Sequence, residues 1–245
     1  MSISANFTSV YSQEWEINFL QCYPNGYLKY TDLCNIFQLT AGFHAELGGI
    51  SFTDMQHYNQ AWVLSRMRVE INNLPKWRDV VTVKTWIKSL ENSRSIRCLE
   101  MYLGTEKIIG CETFWAVFNT NTRRPENLAL PNEHFEKFPN HDATLIKFSK
   151  INSEGIFENS TQKKVALSDL DIINHANSVK YLEWCLDTTD INLIINLKIK
   201  SLEMNYLKEV ALGEKLEIKV LENEDIILYK ICKNEAVCFA LKLEI

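Results

Sequence analysis

Alternation of apolar and polar residues, the pattern of a half-buried β-strand, recurs along the chain. Four triplets at two-residue spacing show it: Trp15, Ile17 and Phe19; Met67, Val69 and Ile71; Val81, Val83 and Thr85; and Leu216, Ile218 and Val220. Two segments break this rhythm and instead space their apolar residues as a helix does, which predicts helices over about residues 28–45 and 177–187. The apolar faces of these two helices consist of Leu33, Ile36 and Phe37 in the first, and Val179, Leu182 and Leu186 in the second.

The order of these predicted elements repeats. Each half of the chain shows an early strand, one helix and then a run of long strands, and a shift that brings Val69 onto Met204 also brings Val81 onto Leu216. Matching order together with matching patterns indicates an internal duplication. The junction is expected near residues 131–141, where Pro, Asn and charged residues cluster. One helix with several antiparallel strands in each half predicts an α+β fold in which a curved sheet wraps a helix.

Composition narrows the class of protein. The chain has 245 residues, of which 46% are hydrophobic and 23% charged, so it can bury a core without a disulfide or metal. A net charge of −5 gives no basic surface for nucleic acid or an anionic membrane. No apolar run reaches the roughly 20 residues of a membrane helix. The first residues lack a signal-peptide pattern, and the seven scattered cysteines form no CxxC pair, so we expect a cytoplasmic protein with reduced thiols.

The densest group of reactive side chains lies in the segment SDLDIINHANSVKYLEW, residues 168–184. It places Asp171, Asn174, His175 and Asn177 directly before the second predicted helix. The first N–H groups of a helix lack partners and can stabilise the oxyanion of an acyl transfer. A carboxylate such as Asp171 could activate water, and His175 could orient groups or move protons. The alternative is structural, since Asp and Asn are also the usual residues that cap a helix.

This segment resembles the DxNxHxNNxxYxxW signature of the acyl-acyl-carrier-protein (acyl-ACP) thioesterases. The first half of the chain carries a second resemblance, because WVLSRM at residues 62–67 and PKWRDVVTVKTW at residues 75–86 are similar to the first-domain pattern of that family. The segments FWAVF at 114–118 and NTRRP at 121–125 also fit. Together these matches span roughly residues 5–220.

The resemblance implies two tandem hotdog domains, at residues 1–133 and 134–245, each a long central helix wrapped by a curved antiparallel β-sheet. The N-terminal domain would bind the acyl chain, with Trp62 among the substrate-binding residues, and the C-terminal domain would be catalytic. It also implies hydrolysis of fatty acyl-ACP to free fatty acid and ACP, in fatty acid biosynthesis, with ACP as partner and neither metal nor cofactor. Both a monomer and a homodimer fit, because a tandem repeat can reproduce within one chain the dimer of single hotdog domains.

Carried over residue by residue, the resemblance assigns the catalytic roles to Asp171, His175 and Glu209, the last within the segment LKEV. Either Asp171 or Glu209 would activate water for attack on the thioester carbon, and His175 would hold the substrate carbonyl in register. Asn174 and Asn177 are the expected substrate-binding residues of this region. Without the resemblance, Glu209 would be explained better as a solvated charge at the end of a strand.

Two departures from the family pattern bear on the chemistry. Counting back from Tyr181, the Asn between the catalytic Asp and His falls on Ile173, whose side chain forms no hydrogen bond. Loss of one preorganised donor typically costs about 10²–10³ in turnover, although Asn174 could substitute if the loop is re-threaded. The Cys that follows the Glu in plant members is Val210 here, which excludes a cysteine nucleophile at this position and favours attack by water.

Two rival functions stay open at this point. One is an acyl-CoA thioesterase of the same fold, and the other is a weakly active or non-catalytic acyl-ACP binder, which Ile173 motivates. ACP is strongly acidic and this chain is also net negative, so recognition would need a local basic patch. The pairs Lys163–Lys164 and Arg123–Arg124 are candidates for that patch, with ordinary solvated charges as the alternative.

Overall fold

Antiparallel strands and a few helices make up the computed structural model, which describes residues 3–157 and 159–245. This confirms the predicted α+β class. The chain divides into two units, unit 1 with Met1–Ser65 and Asn72–Lys147, and unit 2 with Arg66–Ile71 and Phe148–Ile245. Among the residues described, no helix is both long enough and apolar enough to cross a membrane.

Unit 1 is an antiparallel sheet with one long helix. In chain order it contains β1 (Val10–Glu16), a 3₁₀ turn (Phe19–Gln21), α1 (Tyr30–Leu47), α2 (Phe52–Gln56), the start of β2 (Gln60–Ile71), β3 (Val80–Glu91), β4 (Arg94–Leu103), β5 (Glu106–Asn119) and the short β6 (Arg124–Pro125). The strands pair in the order β1-β3-β4-β5, with β6 on β5. The apolar face predicted for α1 is buried, and the helix contacts β1 and β3.

Unit 2 repeats this arrangement of elements. It contains the last residues of β2, β7 (Asn159–Lys164), a 3₁₀ turn (Leu167–Asp169), α3 (Ser178–Leu186), α4 (Ile191–Ile195), β8 (Ser201–Tyr206), β9 (Lys215–Glu222), β10 (Ile226–Lys233) and β11 (Ala236–Glu244). The antiparallel order is β2-β8-β11-β10-β9-β7. The face of α3 that carries Val179, Leu182 and Leu186 is buried as predicted, and α3 contacts β11.

One predicted strand was too long. β1 ends at Glu16, and Ile17 is fully buried, but the chain then turns instead of continuing to Phe19. The side chain of Asn18 accepts the N–H of Leu20, and Gln21 accepts the N–H of Asn18, which forms a capping box at the 3₁₀ turn. Phe19 is consequently 67% exposed. Local capping has overridden the apolar alternation at this point.

Candidate active site

The segment with the predicted catalytic residues is a tight loop ahead of α3. The N–H of Asp171 donates to the carbonyl of His175 at 2.8 Å, and the N–H of Asn174 donates back to the carbonyl of Asp171 at 3.1 Å. Oδ1 of Asp171 also accepts the N–H groups of Ile173 and His175, at 3.0 and 3.2 Å. Asn174 has a φ of 64°, in the left-handed region that Asn tolerates. The loop therefore fixes Asp171 and His175 by its own hydrogen bonds.

Glu209 is brought to this loop by the connection between β8 and β9. The N–H of Ala176 donates to the carbonyl of Val210 at 2.9 Å, which ties the two segments together. Nε2 of His175 lies 3.4 Å from Oε2 of Glu209, and the two side chains are 25% and 33% exposed. The structure thus places His175 against Glu209 at a solvent-accessible point of unit 2, with Asp171 at the start of the same loop.

The hydroxyl group of Tyr181 holds the backbone on both sides of Glu209. It accepts the N–H of Val210 at 3.1 Å and donates to the carbonyl of Lys208 in a long, 3.5 Å bond. Tyr181 is buried in α3, and this burial raises the pKa of its phenol well above the usual value, with a smaller contribution from the charge of Asp171. The phenol therefore stays protonated and keeps its donor.

We expect Tyr181→Phe to lower kcat on an acyl thioester by about tenfold with little change in KM. The ring still fills its place, but the N–H of Val210 loses its acceptor and Glu209 loses its fixed position. Tyr229→Phe is the matched control, because that hydroxyl bonds Oγ1 of Thr189 at 2.8 Å rather than the Glu209 segment. A full kcat in Tyr181→Phe, with only a lowered melting temperature, would contradict the positioning role.

Asn177 caps α3. Its side-chain oxygen accepts the N–H of Val179 at 2.9 Å, and its carbonyl accepts the N–H of Lys180 at 2.9 Å. Two of the N–H groups expected to stabilise an oxyanion at the helix start are therefore already engaged. The Asn177 side chain therefore has the structural role of a helix cap. A contact of Asn177 with substrate stays a prediction.

The residues between Asp171 and His175 differ in their exposure. Ile172 is 84% exposed, Ile173 is half-buried and Asn174 is exposed. An apolar side chain therefore occupies the position where the family pattern has an amide. The neighbouring residue, Asn174, carries an amide, but its backbone is in the left-handed region. A contact of Asn174 with substrate stays a prediction.

The thiol nearest to this loop is a poor nucleophile. Cys238 lies close by, since its carbonyl accepts the N–H groups of Leu207 and Lys208 at 2.8 and 3.0 Å. Its thiol is buried, and burial raises its pKa, so the reactive thiolate is disfavoured. Within residues 3–157 and 159–245, no group of three or more His, Cys, Asp and Glu side chains is arranged to hold a metal ion.

Unit 1 contains a mostly apolar cavity of about 200 Å³. Gln38, Ala41, Gly42 and Ala45 line it from one face of α1, where the small residues leave space next to the sheet. The remaining apolar lining consists of Ile50, Phe52, Trp62, Ile87 and Trp115. Trp62, which the sequence predicts to bind substrate, therefore lines the cavity, and its indole N–H donates to the carbonyl of Ile50 at 3.0 Å.

A buried imidazole lies behind the cavity wall. Nε2 of His44 is 2.9 Å from the carbonyl oxygen of Thr8, which can only accept, so Nε2 carries the hydrogen. Nδ1 then accepts from Nη1 of Arg97 at 2.7 Å, and the ring stacks between Phe7 and Tyr11. Burial, reinforced by the charge of Arg97, lowers the pKa of His44 to about 3.

We expect His44 to make the protein acid-sensitive. The unfolded chain takes up this proton near pH 6.5 and the folded chain only near pH 3, so the contribution to stability is complete above about pH 6.5 and is lost as the pH falls toward 3. Urea titration should show the free energy of unfolding fall by on the order of 2 kcal/mol between about pH 7 and pH 5. His44→Gln should remove most of this fall, and exposed His57→Gln should not. An unchanged pH dependence in His44→Gln would refute the assignment.

The two predicted basic pairs lie in different units. Lys163 belongs to β7, where its ammonium lies 3.5 Å from Oδ2 of Asp169 and over the ring of Trp184, while Lys164 is exposed. Arg123 and Arg124 are exposed at the turn into β6 in unit 1. Lys163 thus makes contacts within its own unit, and the side chains of Lys164, Arg123 and Arg124 are exposed.

Models of one protein family match both parts of the chain. Residues 8–137 match the acyl-ACP thioesterase N-terminal domain, and residues 156–240 match the acyl-ACP thioesterase C-terminal domain. A chloroplastic palmitoyl-acyl carrier protein thioesterase of Arabidopsis thaliana is 28% identical over 216 residues, which cover 82% of this chain and 52% of the relative. The corresponding protein of Gossypium hirsutum is 29% identical over 219 residues, with the same coverages. The chain spans about half the length of these curated relatives.

Solved structures agree over nearly the full chain. The acyl-ACP thioesterase from Bacteroides thetaiotaomicron superposes with a TM-score of 0.86 at 26% identity, covering 96% of this chain and 97% of that one. The 12:0-ACP thioesterase from Umbellularia californica superposes with a TM-score of 0.81 at 20% identity, covering 97% of both chains. The second likeness concerns the fold alone.

Proposed function

The chain belongs to the acyl-ACP thioesterase family, and from that premise we propose that it is an acyl-ACP hydrolase, which cleaves fatty acyl-ACP into free fatty acid and ACP. The observation that carries this proposal is the contact of His175 with Glu209 at 3.4 Å, beside a loop that fixes Asp171. All three residues are those that the family pattern assigns to catalysis. All three side chains are partly exposed and therefore accessible from solvent.

The finer architecture in this proposal is a tandem pair of hotdog domains, residues 1–133 and 134–245. The same order of elements in both units supports it: a strand, a 3₁₀ turn, the main helix, a short helix and then further strands. The N-terminal domain binds the acyl chain, for which the apolar cavity beside α1 and Trp62 is the support. The C-terminal domain supplies the catalytic groups.

In the proposed mechanism, water attacks the thioester carbon. Asp171 uses Oδ1 for the loop N–H groups and takes the water proton on Oδ2. His175 holds the carbonyl oxygen as it becomes an oxyanion through Nε2, the ring nitrogen that lies 3.4 Å from Glu209, since Nδ1 is buried. Two N–H groups at the start of α3 are engaged by Asn177 and take no part in this step. Collapse of the intermediate breaks the C–S bond, and the departing phosphopantetheine thiolate receives the proton from Asp171.

ACP is the proposed partner, and fatty acid biosynthesis in the cytoplasm is the proposed setting of the reaction. The acidic carrier needs basic contacts on a chain whose own net charge is −5. Lys164 and the Arg123–Arg124 pair are exposed, and we propose them as these basic contacts. Whether the protein acts as a monomer or a homodimer leaves this proposal unchanged, because all three catalytic residues lie in unit 2 of one chain.

The experiment that tests the function is release of free thiol from palmitoyl-ACP and shorter acyl-ACPs, run in competition with the same acyl groups on CoA. We expect turnover with preference for the ACP thioesters. Turnover of acyl-CoA alone would favour an acyl-CoA thioesterase of the same fold. Binding of acyl-ACP without turnover would favour a non-catalytic binder, the alternative that Ile173 motivates.

A further inference from the structure

A positive charge lies buried at the cavity of unit 1, and its hydrogen-bond partners among the described residues are neutral. Arg97 is only 6% exposed and lines the cavity. Its hydrogen-bond partners are neutral: Nδ1 of His44 at 2.7 Å and Oγ1 of Thr85 at 3.2 Å. Glu46 also lines the cavity, but it is solvent-exposed, and within the described part of the chain no carboxylate lies within ion-pair distance of Arg97.

This arrangement is costly for the free protein. A buried charge without a counter-ion costs several kcal/mol relative to an apolar side chain of similar size. Burial lowers the pKa of Arg97 only to about 10, so the guanidinium stays charged at neutral pH. His44 cannot relieve the charge, because its Nδ1 is already the acceptor of the Nη1 hydrogen bond. Costly charges of this kind are typical of binding sites.

A second polar group faces the same space. Ser95 lies two residues before Arg97 on β4, so alternation puts both side chains on one face of the strand, and both line the cavity. Ser95 is itself buried. The rest of the wall is largely apolar, with Ala41, Ala45 and Trp62 among its members. The cavity thus combines a hydrocarbon-binding surface with a small cluster of hydrogen-bond donors.

We propose that this cavity takes acyl chains that carry an oxygen function, a hydroxyl, keto or carboxyl group, and that Arg97 selects them over unsubstituted chains. The inference rests on the proposed function, which delivers the chain as a thioester. A plain hydrocarbon displaces water from the guanidinium and returns no hydrogen bond, whereas an oxygen atom on the chain accepts one. Sites built to bond a polar group reject analogues that lack it.

The test compares kcat/KM on dodecanoyl-ACP with that on the ω-hydroxy-, β-hydroxy- and β-keto-dodecanoyl forms. We expect the wild type to prefer at least one oxygenated chain by about tenfold or more. Arg97→Met should abolish or invert this ratio, and Arg97→Lys should retain part of it. Arg94→Met is the matched control, since Arg94 is exposed on the same strand and should leave the ratio unchanged.

Two results overturn the inference: a wild type that prefers dodecanoyl-ACP to every oxygenated chain, and an Arg97→Met variant with the wild-type ratio. Where Arg97→Met does not fold, the wild-type ratio alone decides. If no acyl-ACP is hydrolysed, the proposed function is wrong. The selectivity of the cavity is then tested separately by direct binding of two amides. Quenching of Trp62 and Trp115 fluorescence by dodecanamide and ω-hydroxydodecanamide should then show tighter binding of the hydroxylated amide. Equal affinities for the two amides would refute the selective role of Arg97.

Discussion

Asp171→Asn is expected to lower kcat/KM on acyl-ACP by about 10³-fold while the loop keeps its structure. The amide oxygen of Asn still accepts the N–H groups of Ile173 and His175, which Oδ1 of Asp171 accepts at 3.0 and 3.2 Å. What the substitution removes is the second carboxylate oxygen as an acceptor of the water proton. Alanine would confound the test, because it removes both loop hydrogen bonds together with the base.

Asp169→Asn is the matched control for this variant. Asp169 lies two residues earlier, is buried, and uses Oδ2 to accept the N–H of Ala166 at 2.8 Å and to pair with Lys163 at 3.5 Å. Loss of that charge should lower the melting temperature and leave turnover within a few-fold of the wild type. Full activity in Asp171→Asn, combined with inactivity in Glu209→Gln, would move the role of base to Glu209.

The sequence predicted the fold in the segments where apolar residues recur at every second position, as in a strand, or at every third to fourth position, as in a helix. The faces of α1 and α3 are buried as predicted, because each combines a helical apolar stripe with a sheet to cover it. The same kind of pattern misled at Phe19, since the Asn18 and Gln21 side chains close a turn that apolar spacing does not record. Turn chemistry is local and polar, and a count of apolar positions omits it.

In the candidate site, the residues of a contiguous motif could be predicted from the sequence, and those that depend on tertiary packing could not. A motif of contiguous residues carried Asp171 and His175, and the structure holds them on one loop. The hydroxyl of Tyr181 bonds a segment 29 residues further along the chain, so its role depends on tertiary packing that spacing does not reveal. Arg97 was missed for a related reason. A charged residue in a strand indicates a solvent-facing side, yet Arg97 is buried, bonds His44 of α1 and lines a cavity.

Ile173→Asn is expected to raise kcat/KM on acyl-ACP by about 10²-fold, because it restores the amide that the family pattern has between the catalytic Asp and His. The loop should accept the change, since the bond from the Ile173 N–H to Asp171 Oδ1 is made by the backbone and Asn is a common turn residue. Ile172→Asn is the matched control: it adds the same amide one position earlier on a side chain that is 84% exposed. It should leave kcat/KM unchanged.

The competing explanation is that Asn174 already supplies the missing amide from the neighbouring position. Asn174→Gly tests it without strain, because Gly adopts the φ of 64° that this residue has. If the amide of Asn174 works in catalysis, Asn174→Gly should lose about 10²-fold in kcat/KM and Ile173→Asn should gain nothing. A gain in Ile173→Asn with an unaffected Asn174→Gly would instead identify Ile173 as the residue that limits turnover. The two variants thus distinguish the explanations. A loop in which Asn174 replaces the missing amide predicts a loss in Asn174→Gly, and a loop that lacks the amide predicts a gain in Ile173→Asn.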